Sequence, residues 1–186
     1  SKPAPVPLRA ERNTPTVGLI KKCLPAIVAL RTFQPGGQPG VVNFAAGSGA
    51  VIHPSGYILT NDHVVMAVVG NTDRAQGLAL FSNGAQFIFK ILARLPQEDI
   101  AILKIETGYP LPFLPLGRSN DLVLGEPTLV IGNPNGLAHS VSTGIISGLQ
   151  RSTSTKASFL PSVIQTTAPI SGGSSGSALI NALGEI

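Results

Sequence analysis

The sequence predicts an all-β protein, a sandwich or barrel made of short strands, and three observations favour this class. Glycine (21) and proline (16) make up about a fifth of the 186 residues, which argues against long helices. Apolar residues amount to 43% and charged residues to 12%, enough for a core and too little charge for a disordered chain. Short apolar segments follow one another at regular spacing, separated by turn residues.

The beginning of the chain has few apolar anchors. Residues 1–15 contain four prolines and are predicted to form a flexible linker. A short helix is predicted over residues 16–24. It is expected to stop at Leu24, because the residue before a proline, here Pro25, is disfavoured in the helical region.

Six strands are predicted in the first half of the chain. His53-Pro54-Ser55-Gly56 is a turn signal, and Asn83-Gly84 is typical of a tight hairpin. The segment Ile100–Ile105 is nearly all apolar, which predicts a central strand. The six segments are Ala26–Phe33, Gly49–His53, Gly56–Thr60, Gly77–Phe81, Gln86–Leu95 and Ile100–Ile105.

The proline-rich stretch Tyr109–Pro115 marks a join between two halves. We therefore expect an N-terminal unit over 16–108, a connector over 109–118 and a C-terminal unit over 119–186. Because the last predicted strand has barely begun at Ile186, we interpret the chain as a fragment whose second unit is incomplete. The strands predicted in the second half are Pro127–Ile131, Val141–Gln150, Ser162–Thr167 and Ser177–Asn181.

Charge and composition exclude several classes of function. The net charge of +4 lies in residues 1–22, because residues 23–186 carry equal numbers of cations and anions. With a neutral body and 5% aromatic residues, the chain lacks the features of a nucleic-acid-binding domain. The sequence contains no run of 18 apolar residues, so no transmembrane helix is predicted. Cys23 is the single cysteine and no three His, Asp or Glu residues have metal-ligand spacing, so we expect neither metal nor cofactor.

The segment from Gly172 to Ser177 (GGSSGS) has the composition of a loop that exposes a nucleophilic serine. Flanking glycines let the backbone turn sharply, and their N–H groups can converge on a developing oxyanion. Taken alone, such a segment is more often a flexible turn. A literal G-x-S-x-G pattern centres on Ser174, but the chain lacks the alternating strands and helices of an α/β-hydrolase, so we interpret that match as accidental.

Two further residues have the chemistry that a serine nucleophile needs. His63 follows an apolar strand at a polar corner, and Asp99 directly precedes the predicted central strand. Each alone is more often an ordinary surface or turn residue. Together with Ser175, they follow the chain order His, Asp, Ser of the chymotrypsin arrangement, with gaps of 36 and 76 residues. The proline-rich join falls between Asp99 and Ser175, so the two halves would meet at the site.

From about residue 17 onward the sequence resembles the HtrA/DegP-like branch of trypsin-fold serine proteases. The family's motifs are similar to Gly47–Ile52 with Gly56–Val65, Asp99–Lys104, Val130–Leu137 with Val141–Ser147, and Ile164–Ala168 with Ser175-Gly176. The resemblance implies two packed six-stranded Greek-key β-barrels, the second one truncated here. Thr167, Gly172 and Ser177 depart from the family's usual residues, but none of them replaces a catalytic group.

The resemblance also implies a site and an activity. His63, Asp99 and Ser175 would form the catalytic triad of a serine endopeptidase, and the N–H groups of Gly173 and Ser175 would form the oxyanion hole. Pro169 and Ile170 would lie at the base of the specificity pocket. Because both are uncharged, we expect a preference for small or medium aliphatic side chains.

The same resemblance implies the setting of the protein. The expected substrates are unfolded or damaged proteins and peptides, and the expected location is extracytoplasmic, either periplasmic or membrane-tethered facing the periplasm. A homo-oligomer, a trimer in particular, and a PDZ domain beyond residue 186 are further expectations. Two alternatives stay open: a protease-fold chaperone or binding module with little catalysis, and an esterase, which would require the α/β-hydrolase fold.

Overall fold

The computed structural model describes residues 12–35, 42–69, 76–133, 139–154, 159–170 and 174–186. These residues form two antiparallel sheets joined by a connector, with little helix, so the predicted all-β class is confirmed. Most of the predicted linker over 1–15 lies outside the described residues. Within the described ranges, no helix has both the length and the apolar character that crossing a membrane requires.

The N-terminal helix α1 spans Pro15–Cys23. Thr14 caps it, because its hydroxyl accepts a hydrogen bond from the backbone N–H of Val17 at 3.3 Å. The predicted stop at Leu24 is wrong in one respect: Leu24 keeps right-handed helical backbone and begins a 3₁₀ turn over Leu24–Ala26. Pro25 fits there because the first turn of a helix needs no hydrogen bond from its N–H.

In the part of the chain that the structure describes, seven strands form the first sheet, in the order β5-β4-β1-β2-β3-β7-β6, and all neighbours are antiparallel. The edge strands β5 and β6 are separated in sequence by Phe89 alone, so the chain itself joins the two edges and the sheet curls into a barrel. The strands are β1 (Ile27–Pro35), β2 (Val42–His53), β3 (Tyr57–Thr60), β4 (Gln76–Phe81), β5 (Gln86–Ile88), β6 (Lys90–Leu95) and β7 (Ile100–Lys104).

The single strand predicted over Gln86–Leu95 is therefore two strands. Phe89 lies between them, is 5% exposed, and donates its backbone N–H to the carbonyl of Gly77 at 3.0 Å. Its ring covers Gly77 so closely that a Cβ at that position would collide with it. The chain bends at Phe89 because this aromatic side chain turns into the barrel interior, where its burial is favourable.

The second sheet has four strands within the described residues, as predicted, in the order β10-β9-β8-β11. Three of them extend beyond the predicted bounds: β8 by one residue, and β9 and β10 by more, because these two pair along an extended ladder with register shifts. The strands are β8 (Pro127–Gly132), β9 (Ser140–Ser154), β10 (Phe159–Thr166) and β11 (Ala178–Ile180).

A single cluster of buried apolar side chains extends over both sheets. Val51 and Leu103 from the first sheet and Ile131 and Ile180 from the second are each 0% exposed and belong to this cluster. Burying a side chain of this size stabilises the fold by about 1.5–3 kcal/mol. The two halves therefore share one core, and a site between them has rigid walls on both sides.

The connector runs from one sheet to the other. Leu111 donates its N–H to the carbonyl of Pro54 at 2.9 Å, and Gly117 donates to the carbonyl of Ile186 at 2.8 Å. Helix α1 also reaches the second half, since Lys22 Nζ lies 3.5 Å from the carbonyl oxygen of Leu183. The boundaries 16–108, 109–118 and 119–186 stay predictions.

Candidate active site

His63 lies on a single helical turn, α2, which spans Asp62–Val65 and is separated from the end of β3 by Asn61 alone. Val64 and Val65 are 4% and 0% exposed, so one side of this turn is fixed in the core. The opposite side carries His63, whose side chain is 51% exposed. Burial of Val64 and Val65 thus presents the imidazole at the surface on a rigid base.

Asp99 ends the turn that links β6 to β7. The turn is closed by hydrogen bonds from the N–H of Glu98 to the carbonyl of Leu95 (3.2 Å) and from the N–H of Asp99 to that of Pro96 (3.3 Å). Asp99 has φ of +54°, in the left-handed region that aspartate tolerates better than most residues. This conformation brings its carboxylate beside the His63 turn.

The two side chains are in direct contact. Nδ1 of His63 lies 3.0 Å from Oδ1 and 2.8 Å from Oδ2 of Asp99, and the backbone N–H of His63 donates to Oδ1 at 2.9 Å. An ionised carboxylate can only accept hydrogen bonds, so this contact favours the tautomer with the proton on Nδ1. Nε2 is then the ring nitrogen whose lone pair can accept a proton.

Within the described residues, the serine segment Ser174–Ser177 is a tight turn that packs against the first sheet. Ser177 donates its N–H to the carbonyl of Ser174 at 2.9 Å, and the carbonyl of Ser175 accepts from the N–H of Ser48 at 2.8 Å. Gly176 has φ of +76°, and a Cβ there would collide with the carbonyl oxygen of Ser48. Glycine is therefore required beside Ser175 by both backbone conformation and space.

Asn61 links the two parts of the site, although the sequence analysis did not single it out. Its Oδ1 accepts from the N–H of Gly176 at 2.7 Å, and its Nδ2 donates to the carbonyl of Asp99 at 2.9 Å. Ser175 is thus attached, through the next residue, to the corner that holds His63 and Asp99. The signal available in the sequence was a polar residue at the end of an apolar strand, directly before Asp62-His63.

An ion pair between the partly exposed Arg94 and the buried Asp62 supports the His63 turn. Arg94 on β6 donates from Nε to Oδ1 of Asp62 at 2.6 Å and from Nη2 to Oδ2 at 2.8 Å. The Asp62 side chain is 5% exposed. The hydrogen bonds to this carboxylate raise the pKa of Arg94 above its usual range. The sequence analysis did not predict this pair. The feature of the sequence that could have indicated it is a charged residue next to His63 within an apolar stretch.

The remaining predicted site residues fall in three different places. Gly173, expected in the oxyanion hole, lies outside the described residues. Pro169 borders an uncharged cavity of about 180 Å³ beside the serine segment, and Ser142 Oγ donates to its carbonyl at 2.8 Å. Ile170 is 66% exposed. The other residues along the cavity are Val130, Gly132, Ser140, Val141, Ser174 and Ser177.

Comparison with known sequences assigns the family. Residues 47–186 match the model of the trypsin-like peptidase domain, so the chain belongs to this family. A probable periplasmic serine endoprotease DegP-like from Pseudomonas fluorescens is 39% identical over 140 residues, 75% of this chain and 28% of the relative. The mitochondrial serine protease HTRA2 of Bos taurus is 36% identical over 173 residues, 90% of this chain and 36% of the relative. The chain therefore spans about a third of such relatives or less.

Solved structures agree with this assignment. The crystal structure of Deg5 is similar with a TM-score of 0.77 and 30% identity, over 97% of this chain and 85% of that one. The HtrA-type protease AlgW with a tripeptide gives a TM-score of 0.76 and 32% identity, over 91% and 52% of the two chains. The predicted trypsin-like fold and the predicted resemblance to HtrA/DegP serine proteases are both confirmed.

Proposed function

We propose that this chain is the catalytic part of a serine endopeptidase in which His63, Asp99 and Ser175 act together. The observation that carries the proposal is the contact between Nδ1 of His63 and both carboxylate oxygens of Asp99, at 3.0 and 2.8 Å. Such a contact selects the tautomer that a general base needs and stabilises the imidazolium that forms when the base takes a proton.

In the first half of the reaction, Nε2 of His63 takes the proton of Ser175 Oγ while Oγ attacks the carbonyl carbon of the scissile peptide bond. The N–H groups of Gly173 and Ser175 stabilise the negative charge on the carbonyl oxygen, and one such donor lowers the barrier by about 3 kcal/mol. The tetrahedral intermediate collapses with cleavage of the C–N bond. The imidazolium returns the proton to the leaving amine, and an acyl-enzyme remains.

In the second half, water replaces the amine. His63 takes one proton from the water as its oxygen attacks the ester carbonyl of the acyl-enzyme. When the second tetrahedral intermediate collapses, the imidazolium returns the proton to Ser175 Oγ and the carboxylic acid product leaves. Throughout both halves the Asp99 carboxylate stays ionised and holds the ring.

The uncharged residues near the serine segment support a proposal about which side chains the site accepts. Pro169 and Ile170 give no carboxylate with which a basic side chain could pair, and described residues along the adjoining cavity are uncharged as well. We propose a preference for small or medium aliphatic residues on the acyl side of the cleaved bond. Equal cleavage after lysine or arginine would refute this preference.

The setting of the activity is proposed from the relatives. Several are named as probable periplasmic serine proteases or endoproteases, which supports an extracytoplasmic location for this chain. Unfolded or damaged proteins are the proposed substrates. A trimer and a following PDZ domain stay predictions.

The central test compares Ser175→Ala with Ser174→Ala in the full-length protein. We expect Ser175→Ala to abolish cleavage of an unfolded protein and labelling by a fluorophosphonate, which reacts only with an activated serine, and Ser174→Ala to retain both. Activity that survives Ser175→Ala would overturn the assignment. Absence of labelling in the natural protein, combined with binding of unfolded chains, would favour the alternative of a protease-fold chaperone or binding module.

A further inference from the structure

The side chain of Asn61 connects two backbone groups that belong to different halves of the site. One end of the amide accepts the N–H of Gly176 at 2.7 Å, and the other donates to the carbonyl of Asp99 at 2.9 Å. Gly176 follows Ser175 in the second half of the chain, whereas Asp99 comes from the first sheet. A single planar amide therefore links these two segments directly.

Each segment that Asn61 contacts has little freedom of its own. Asp99 has left-handed backbone, with φ of +54°, and its carboxylate is held by His63. Gly176 also has a positive φ, +76°, and is packed against Ser48 and Thr60. The two hydrogen bonds of the Asn61 amide help to fix the position of one backbone relative to the other, because neither backbone can turn away without losing its own contacts.

The amide of asparagine provides both hydrogen bonds at this position, and neither aspartate nor alanine can provide both. The two contacts need an acceptor on one side and a donor on the other, which asparagine supplies from one planar group. Aspartate would place a second oxygen against the Asp99 carbonyl, and alanine would leave both backbone groups without the amide. The hydrogen bond from Ser48 N–H to the Ser175 carbonyl at 2.8 Å would remain, so the turn would stay attached but lose its link to Asp99.

We propose that Asn61 is a positioning residue that sets Ser175 relative to the His63–Asp99 pair. The inference rests on the proposed function, since it assigns to Asn61 the alignment of the proposed nucleophile and base. Asn61 itself touches no reacting atom. Proton transfer and attack depend steeply on alignment, and a displacement of about 1 Å can cost on the order of 100-fold in rate.

The test compares Asn61→Ala with Asn83→Ala in the full-length protein. Asn83 also uses its Oδ1 to accept a backbone N–H, that of Ala85, but it does so in an exposed hairpin turn of the first barrel. We expect Asn61→Ala to lower kcat by about 100-fold with little change in KM, and to slow fluorophosphonate labelling in parallel. Asn83→Ala is expected to leave both unchanged. Circular dichroism and thermal unfolding establish that both variants are folded.

A second measurement does not depend on activity. Hydrogen exchange followed by NMR should show faster exchange of the Gly176 amide in Asn61→Ala. Asn61→Asp should lower kcat, because aspartate loses the donor to the Asp99 carbonyl, although one of its oxygens still faces Gly176. An unchanged kcat in Asn61→Ala, or an unchanged exchange rate at Gly176, would overturn the inference. Full activity in Ser175→Ala would instead overturn the proposed function, and the Gly176 exchange rate would still report whether Asn61 holds that segment.

Discussion

Arg94 forms a two-pronged ion pair with Asp62, the residue directly before His63. The pair lies beneath the helical turn that carries the imidazole, and the Asp62 side chain is almost completely buried at 5% exposure. The two residues before His63 therefore bind different parts of the fold. The Asp62 side chain binds Arg94 on β6, and the Asn61 side chain binds Gly176 in the serine segment.

The ion pair predicts a large loss of stability when one partner is removed. Arg94→Met should lower the free energy of unfolding by about 3–5 kcal/mol, because it leaves the Asp62 carboxylate buried without a partner. Urea denaturation measures the change. The control is Glu106→Gln, which removes the exposed partner of Lys104 (2.9 Å; Glu106 side chain 81% exposed) and should cost about 0–1 kcal/mol. Equal losses of stability in Arg94→Met and Glu106→Gln would contradict the prediction. The double variant Asp62→Leu, Arg94→Met should recover much of the stability that Arg94→Met loses, because no buried charge remains without a partner.

Asp99→Asn should separate the chemical role of the carboxylate from its structural role. Asparagine tolerates the left-handed backbone at this position, so the fold should be retained. The amide can donate a hydrogen bond to Nδ1 and thereby favour the wrong tautomer of His63, so we expect kcat to fall by about 10⁴-fold. Peptide hydrolysis measures the loss.

The control for Asp99→Asn is Glu98→Gln, which removes an exposed carboxylate one residue earlier in the same turn. It should leave kcat unchanged. If Asp99→Asn retains the turnover of Glu98→Gln, the contact between His63 and Asp99 has no part in catalysis.

Gly176→Ala and Gly84→Ala form a matched pair. Both glycines have positive φ, +76° and +87°, so an alanine at either position is strained by about 1–2 kcal/mol. A Cβ at Gly84 meets nothing within 4 Å, whereas one at Gly176 collides with the backbone of Ser48. We therefore expect Gly176→Ala to lose more stability than Gly84→Ala and to lose activity as well, as measured by thermal unfolding and hydrolysis. If both variants lose similar stability and keep their activity, the close contact between Gly176 and the backbone of Ser48 is not required for the fold or for the site.

The sequence predicted those parts of the molecule that depend on local patterns. The apolar strand that ends before His63 and the one that begins after Asp99 are both visible in the sequence, and they bring the two residues to the same corner of the sheet. The break at Phe89 could not be predicted, because it depends on the space above Gly77 in a neighbouring strand. Asn61 was missed for the same kind of reason: its partner Gly176 is 115 residues away, and only the folded chain brings their hydrogen-bonding groups together.

The buried thiol of Cys23 provides the last prediction. Cys23 is 0% exposed, and burial raises the pKa of its thiol, although nearby Lys22 opposes part of this effect. Thiol reagents attack the thiolate, so a disulfide reagent at pH 8 should react much more slowly with the folded protein than with the protein in denaturant. The chain contains one cysteine, so the absorbance change reports this residue alone.

The same shift sets the sign of a pH effect on stability. Because the folded-state pKa is the higher one, the unfolded chain releases the thiol proton first as pH rises. The contribution of Cys23 to the free energy of unfolding is therefore fully present below the ordinary thiol pKa and declines as pH rises through it. Cys23→Ala should weaken this decline in urea titrations at alkaline pH. A decline of unchanged steepness, together with equal reaction rates in the folded and unfolded states, would mean that the thiol is open to solvent.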